Sequence, residues 1–148
     1  MMKVLVSEPL SEGGVERLRE HHEVDVRTDL SPEQLLDIIP GYDALIVRSA
    51  TRVSAAVLER ATALKVVGRA GIGLDNVDVD AATRRGVLVV NAPQSNVLSA
   101  AEHTMALLLA QARNVPQAHS ALIAGSWERE RWHGVELHGK ILGIVGLG

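Results

Sequence analysis

Cysteine and phenylalanine are both absent from this 148-residue chain, and two tryptophans and one tyrosine are its only aromatic residues. Without thiols there is neither a disulfide framework nor a thiolate metal site. With so few rings, stacking platforms for single-stranded nucleic acid are missing. The core must be built from Val, Leu, Ile and Ala. Positive charge is also scarce: 15 Lys and Arg face 18 Asp and Glu, a formal net charge of −3. That balance argues against nucleic acid or an anionic membrane as partner. The longest apolar run, Met105–Ala110, falls far below the roughly 20 residues of a membrane-spanning helix. The opening MMKVLVSEP lacks the apolar stretch of a signal peptide. These features lead to the expectation of a soluble, cytoplasmic protein. The six histidines (21, 22, 103, 119, 133 and 138) show no metal-ligand spacing. His21-His22 reads as a helix end and His103 as a packing residue. Trp127 and Trp132 read as packing or interface anchors.

The chain does have hydrophobic patterning, with 47% apolar residues. Short β-branched runs alternate with helical patterns. Strands are expected at Lys3–Ser7, Glu23–Arg27, Ala44–Val47, Lys65–Gly68 and Gly86–Asn91. Between them, helices are expected from Ser11, from Ser31-Pro32 to about Pro40-Gly41, from Ser54 to Ala61, and over Val79–Arg85. The Ser31-Pro32-Glu33-Gln34 start has Ser as N-cap, Pro in the first turn and Gln three residues after the cap. Ala44–Val47 is apolar without interruption, as in a strand covered on both faces. Such alternation predicts an α/β fold, a doubly wound, flavodoxin-like parallel sheet over residues 1 to about 97.

Further along, Ser99-Ala-Ala-Glu102 reads as a capping box opening a helix to Arg113, apolar around most of its circumference and expected to be buried. Asn114-Val115-Pro116 restarts a second helix to about Ala124-Gly125. The surface-like Trp127–Gly134 segment and a strand over Lys140–Val145 follow, with Gly146-Leu147-Gly148 at the end. Residues 98–148 thus read as two helices, a surface segment and a terminal strand.

Three segments that follow predicted strands could carry chemistry, because open α/β sheets bind ligands at the carboxyl ends of their strands. Arg48 and Ser49 follow the third. An arginine there either grips a carboxylate or phosphate with two teeth or is simply solvated. Gly71 and Gly73, in Gly68-Arg-Ala-Gly-Ile-Gly-Leu-Asp-Asn76, follow the fourth. They either leave backbone N–H groups open to an anion or form a turn with positive φ angles. The third glycine of a dinucleotide fingerprint is replaced by Asn76. Asn96 follows the fifth strand and either donates to an anion or shapes the turn. The terminal Gly146-x-Gly148 is the start of a dinucleotide-binding turn or merely a turn.

Together, VRSAT (Val47–Thr51), VVGRAGIGLDNVDVDAATRRGVLVVNAP (Val66–Pro93), SNVLSAAEHTMALLLA (Ser95–Ala110), GSWERERWHGVELHGK (Gly125–Lys140) and LGIVGLG (Leu142–Gly148) resemble the D-isomer specific 2-hydroxyacid dehydrogenase family, most closely its phosphoglycerate branch. The resemblance covers nearly the whole chain and is weakest before residue 40. It implies a substrate domain over residues 1–97 and the start of a second, Rossmann-type NAD domain over 98–148. It also implies hydride transfer from C2 of 3-phospho-D-glycerate to NAD, which opens L-serine synthesis. By the same resemblance Arg48, Ser49, Gly71, Ile72, Gly73 and Asn96 bind substrate, and Arg129 reaches the active site of a partner subunit in a dimer or tetramer. Ile72, Ser99, Gly146 and Gly148 contact the cofactor. The family's catalytic histidine, glutamate and arginine are expected beyond Gly148, leaving this chain without them and inactive alone. Dehydrogenases of other D-2-hydroxy acids, or a non-enzymatic corepressor-like relative, are the alternative expectations. A phospho-receiver is excluded, since the places for its acids and lysine hold Glu8, Arg48-Ser49 and Asn91-Ala92.

Overall fold

A computed structural model describes residues 1–146. The chain divides into two compact units, Met1–Asn96 and the residues from Val97 onward. The first unit is a five-stranded, wholly parallel sheet. Its strands are β1 (Lys3–Val6), β2 (Glu23–Val26), β3 (Ala44–Val47), β4 (Val66–Arg69) and β5 (Leu88–Asn91). They lie in the order β2-β1-β3-β4-β5, the flavodoxin-like order, whose switch point falls between β1 and β3. The connecting helices are α1 (Glu12–Arg19), α2 (Pro32–Ile38), α3 (Ala55–Arg60) and α4 (Val79–Arg84), with a 3₁₀ turn at Ile39–Gly41.

Side-chain alternation sorts the core onto the two faces. Leu5, Leu45, Val47 and Val67 point to one face, where they pack with Leu35, Val57, Leu58, Ala81 and Ala82 of α2, α3 and α4. Val4, Val6 and Ala44 point to the other, with Leu10, Leu18 and Val24 against them. Three helices thus cover one face, while α1 contributes the cover of the second. Central β1 and β3 are covered on both sides, which is why Val4–Val6 and Ala44–Val47 are unbroken apolar runs. The β5 edge is open, with Leu88 61% exposed.

Local signals account for the helix starts. Ser31 and Gln34 form a reciprocal capping box: the Gln34 N–H donates to Ser31 Oγ at 3.2 Å and the Ser31 N–H to Gln34 Oε1 at 2.8 Å. Asp78 caps α4 by accepting from the Ala81 N–H at 2.9 Å. Ser54 precedes α3 as expected, but its side chain makes no cap bond.

The second unit contains α5 (Val97–Ala112), α6 (Val115–Ile123) and a 3₁₀ turn at Arg129–Trp132. Three expectations are corrected here. Ser99 is the third residue of α5 rather than its cap, because the Pro93–Asn96 turn delivers the chain into helical geometry already at Val97. None of the residues of α5 is buried, although the helix is apolar nearly all round. Lys140–Val145 forms no strand; the described part of this unit offers no other strand, so the N–H and C=O groups of a lone strand would have no ladder. No helix among the described residues is long and apolar enough to cross a membrane.

Candidate functional site

The carboxyl ends of β3, β4 and β5 are level with one another: Val47 pairs with Arg69, and Arg69 with Asn91. The segments that follow are tied together. The Ala70 N–H donates to the Val47 carbonyl at 2.8 Å, and the Ala92 N–H to the Gly71 carbonyl at 2.9 Å. A parallel bridge, Val53 to Val77, links the loop after β3 to the loop after β4. The structure therefore brings Arg48, Ser49, the Gly71–Gly73 turn and the Pro93–Asn96 turn onto one rim. All the side chains of Arg48, Ser49, Ile72 and Asn96 are exposed there.

Hydrogen bonds to carbonyls set the direction of the amides on this rim. In a trans peptide plane the carbonyl of one residue and the N–H of the next point opposite ways. The Gly71 carbonyl is held by Ala92, and the Ile72 carbonyl by the side-chain amide of Asn91, which donates from Nδ2 at 2.7 Å. Both carbonyls face β5, so the N–H groups of Ile72 and Gly73 are turned away from it. Among the described residues neither of these two N–H groups is engaged, whereas the Gly71 N–H is spent on the Arg69 carbonyl at 2.8 Å.

Gly71 and Gly73 are not in the left-handed region, so the positive-φ reading of this turn is replaced by a steric one. A side chain at Gly71 would meet the Arg69 guanidinium, and one at Gly73 would stand 2.8 Å from Asp75 Oδ1. Arg69 places its guanidinium against the turn, with Nε buried and finding no hydrogen-bond partner among the described residues.

Two residues that sequence reasoning passed over build the Arg48–Thr51 loop. Glu8, two residues beyond β1, is only 8% exposed. Its carboxylate accepts from the N–H groups of Arg48 at 2.8 Å and Thr51 at 2.8 Å through Oε1, and from Ala50 at 3.0 Å through Oε2. Burial pushes the Glu8 carboxyl up, but the amides of Thr51, Ala50 and Arg48 outweigh it and hold it below the usual carboxylate value. From the other side Asn76 Nδ2 donates to the carbonyls of Arg48 at 2.8 Å and Thr51 at 2.7 Å. Position 76 had stood out only as a missing glycine. The Arg48 guanidinium makes one long contact, Nη1 to the Pro9 carbonyl at 3.4 Å, and is otherwise open to solvent. Between the β1 and β3 ends lies a crevice of about 420 Å³ bordered by Ser7, Glu8, Ser31 and Thr51.

The remaining candidates belong to the second unit. Arg129 opens the 3₁₀ turn and is exposed, and Ser99 is exposed on α5. Gly146 has φ of 83°, a conformation that favours glycine. Gly148 lies outside the described residues.

Comparison with known proteins follows the same lines. The family described as D-isomer specific 2-hydroxyacid dehydrogenase, catalytic domain, matches residues 4–134. The D-3-phosphoglycerate dehydrogenase of Methanocaldococcus jannaschii is 53% identical over 148 residues, all of this chain and 28% of that protein. The chloroplastic D-3-phosphoglycerate dehydrogenase 2 of Arabidopsis thaliana is 54% identical over 147 residues, 99% of this chain and 24% of that protein. The chain thus spans about a quarter of the length of these relatives. Among solved structures, the TT0316 protein of Thermus thermophilus superposes with a TM-score of 0.86 at 37% identity, over 93% of this chain and 46% of that one. An NAD+-bound 3-phosphoglycerate dehydrogenase of Entamoeba histolytica superposes with a TM-score of 0.69 at 28% identity, over 76% of this chain and 39% of that one.

Proposed function

This chain belongs to the D-isomer specific 2-hydroxyacid dehydrogenase family, and from that premise we propose that it is the substrate-gripping part of an NAD-dependent D-3-phosphoglycerate dehydrogenase. Residues 1–97 form the substrate domain in this reading, and 98–148 open the NAD domain. The substrate is a small phosphorylated 2-hydroxy acid, 3-phospho-D-glycerate, whose oxidation leads toward L-serine. The location is cytoplasmic, and the working form is a homo-oligomer.

The observation that carries this reading is the pair of unengaged N–H groups at Ile72 and Gly73, turned from β5 and tied to the strand end that bears Arg48. Two parallel amides suit the two oxygens of a carboxylate. Arg48 and Ser49, with Asn96 from the next strand end, supply donors to the second anionic group. A guanidinium matches carboxylate and phosphate oxygens in pairs. Arg129 is assigned to the active site of a partner subunit.

In this reading the cofactor is NAD, and Ile72, Ser99, Gly146 and Gly148 are its contacts. Ile72 offers an exposed apolar side chain, 41% accessible, to the nicotinamide ring. Gly146 adopts a positive φ that suits the tight turn of a pyrophosphate loop; Ser99 and Gly148 are assigned to the same cofactor. NAD, when bound, accepts the hydride from C2. The work of this chain is to hold the anionic ends of the substrate so that C2 is fixed in place, an entropic contribution to catalysis. Removal of the hydroxyl proton falls to residues outside this chain, so the 148-residue chain alone is expected to bind weakly and turn nothing over.

Titration of the ¹⁵N-labelled chain with 3-phosphoglycerate tests the proposal. The amides of residues 48–51, 70–73, 91, 92 and 94–96 are expected to shift with an affinity on the order of millimolar, about −4 kcal/mol. Arg48→Gln should abolish most of the response. Shifts confined to other surfaces, or an undiminished response in R48Q, would overturn it.

A further inference from the structure

Just past β1, the polar side chains of Ser7 and Glu8 are buried next to one another. A buried carboxylate is costly unless its oxygens are matched by donors. At Glu8 they are matched by three amides of a single short loop, 40 to 43 residues further along the chain. That loop, Arg48–Thr51, has little hydrophobic anchorage of its own, since Arg48, Ser49 and Ala50 are all exposed. Its N–H groups converge on Glu8 as a backbone nest converges on an anion, and its carbonyls are held by Asn76. Because the amides occupy the carboxylate oxygens, Glu8 forms no ion pair with the Arg48 guanidinium among the described residues. The charge of that guanidinium stays available to an external anion.

We infer that Glu8 is the positioning residue of this rim: its ionised carboxylate fixes the Arg48–Thr51 loop and so presents Arg48 in a pre-set geometry to the anionic group of the substrate. The inference rests on the reading that Arg48 binds substrate. It adds the device that orders Arg48, and a dependence on pH. The charged residues facing Glu8 are Arg48, from whose N–H it accepts, and Arg52 and Asp29, which border the same crevice. Burial pushes the Glu8 carboxyl up, but its three amides outweigh this and hold it below the usual carboxylate value, so the loop is fully held at neutral pH and released as pH falls through the depressed value.

The test uses the ¹⁵N-labelled chain as wild type, Glu8→Gln and Arg48→Gln. In wild type, the amide resonances of Arg48, Ala50 and Thr51 are expected to titrate together with one midpoint below the ordinary glutamate value, and E8Q should abolish that titration. Amide exchange of these three residues should quicken about tenfold or more in E8Q, and 3-phosphoglycerate affinity should fall about tenfold, the scale set by losing charge-assisted hydrogen bonds. The amides of Leu5 and Leu45 should be unchanged, which shows that E8Q still folds. R48Q should lose affinity without quickening exchange. Wild-type exchange in E8Q overturns the inference. So does wild-type affinity in E8Q where R48Q has lost it. If wild type shows no response to 3-phosphoglycerate, the functional reading falls, and with it the substrate half of this inference. The exchange comparison then decides whether Glu8 holds the loop.

Discussion

Asn91 holds the carbonyl of Ile72 with its side-chain amide at 2.7 Å, and through the rigid peptide plane it sets the direction of the Gly73 N–H. Asn91 is the last residue of β5, so the sheet itself aims this amide. Replacing it with alanine should free the Gly71–Gly73 turn. Asn91→Ala is expected to weaken 3-phosphoglycerate binding several-fold while lowering stability by only about 1 kcal/mol, the net value of one exposed hydrogen bond. Asn91→Asp should bind worse than the alanine variant, because a carboxylate facing a carbonyl can only accept. Chemical-shift titration and urea unfolding of the two variants check both statements, and equal affinity in N91A and wild type would sink the first.

The strands were legible because each central one is covered on both faces. Ala44–Val47 is a pure apolar run and was bounded to the residue. The helix starts with two-way caps, such as Ser31 with Gln34, were legible for the same local reason. What was not legible depends on contacts distant in the chain. At Glu8 the sequence shows only a single acid past the first strand, where a phospho-receiver needs a pair, and nothing nearby announces three amides some 40 residues on. Asn76 reads as a glycine that is missing, whereas its amide clamps two carbonyls. Gly71 and Gly73 read equally well as a positive-φ turn, and only the position of Arg69 and Asp75 shows that space is what they provide. The strand expected at Lys140–Val145 had the right composition, but composition supplies no neighbour for pairing.

Tyr42 provides a pH prediction with a clean signal, since it is the only tyrosine of the chain. Burial first, and then its hydrogen bond to Asp25 at 2.8 Å and the negative charge of Asp25, push the phenol from 10.0 up to about 12. A folded value above the unfolded one means that the protonated phenol stabilises the fold. That contribution is complete below pH 10 and is lost as pH rises from 10 toward 12. Absorbance titration of phenolate should give a midpoint near 12 in wild type, and a lower one in Asp25→Asn. A wild-type midpoint at the ordinary tyrosine value would contradict the buried pairing.

The sheet order makes a further contrast measurable. Leu45 sits at the centre of β3 with no exposure, and Leu88 on edge strand β5 is 61% exposed. Leu45→Ala removes fully packed methylenes and leaves a cavity, which costs about 2–5 kcal/mol. Leu88→Ala should cost under about 1 kcal/mol. Urea unfolding monitored by far-ultraviolet circular dichroism separates the two, and similar losses at both positions would be incompatible with the order β2-β1-β3-β4-β5.

The second unit should make the chain associate. Leu98, Met105 and Leu109 are 78%, 48% and 50% exposed. Their spacings of seven and four residues place them on one face of α5. Ile123 of α6 is 76% exposed. Exposed large apolar side chains clustered on one helix face are removed from water by association. Each fully covered Leu or Met side chain is worth about 1.5–3 kcal/mol. Light scattering over a concentration series should therefore show a mass that rises with concentration. Met105→Glu puts a charge at the middle of the stripe, where covering it would strip its hydration. This variant should shift the distribution to monomer while circular dichroism of the sheet unit is unaltered. A wild-type chain that stays monomeric and clear at every concentration would show that this face is not an association surface, and the oligomeric part of the proposed function would go with it.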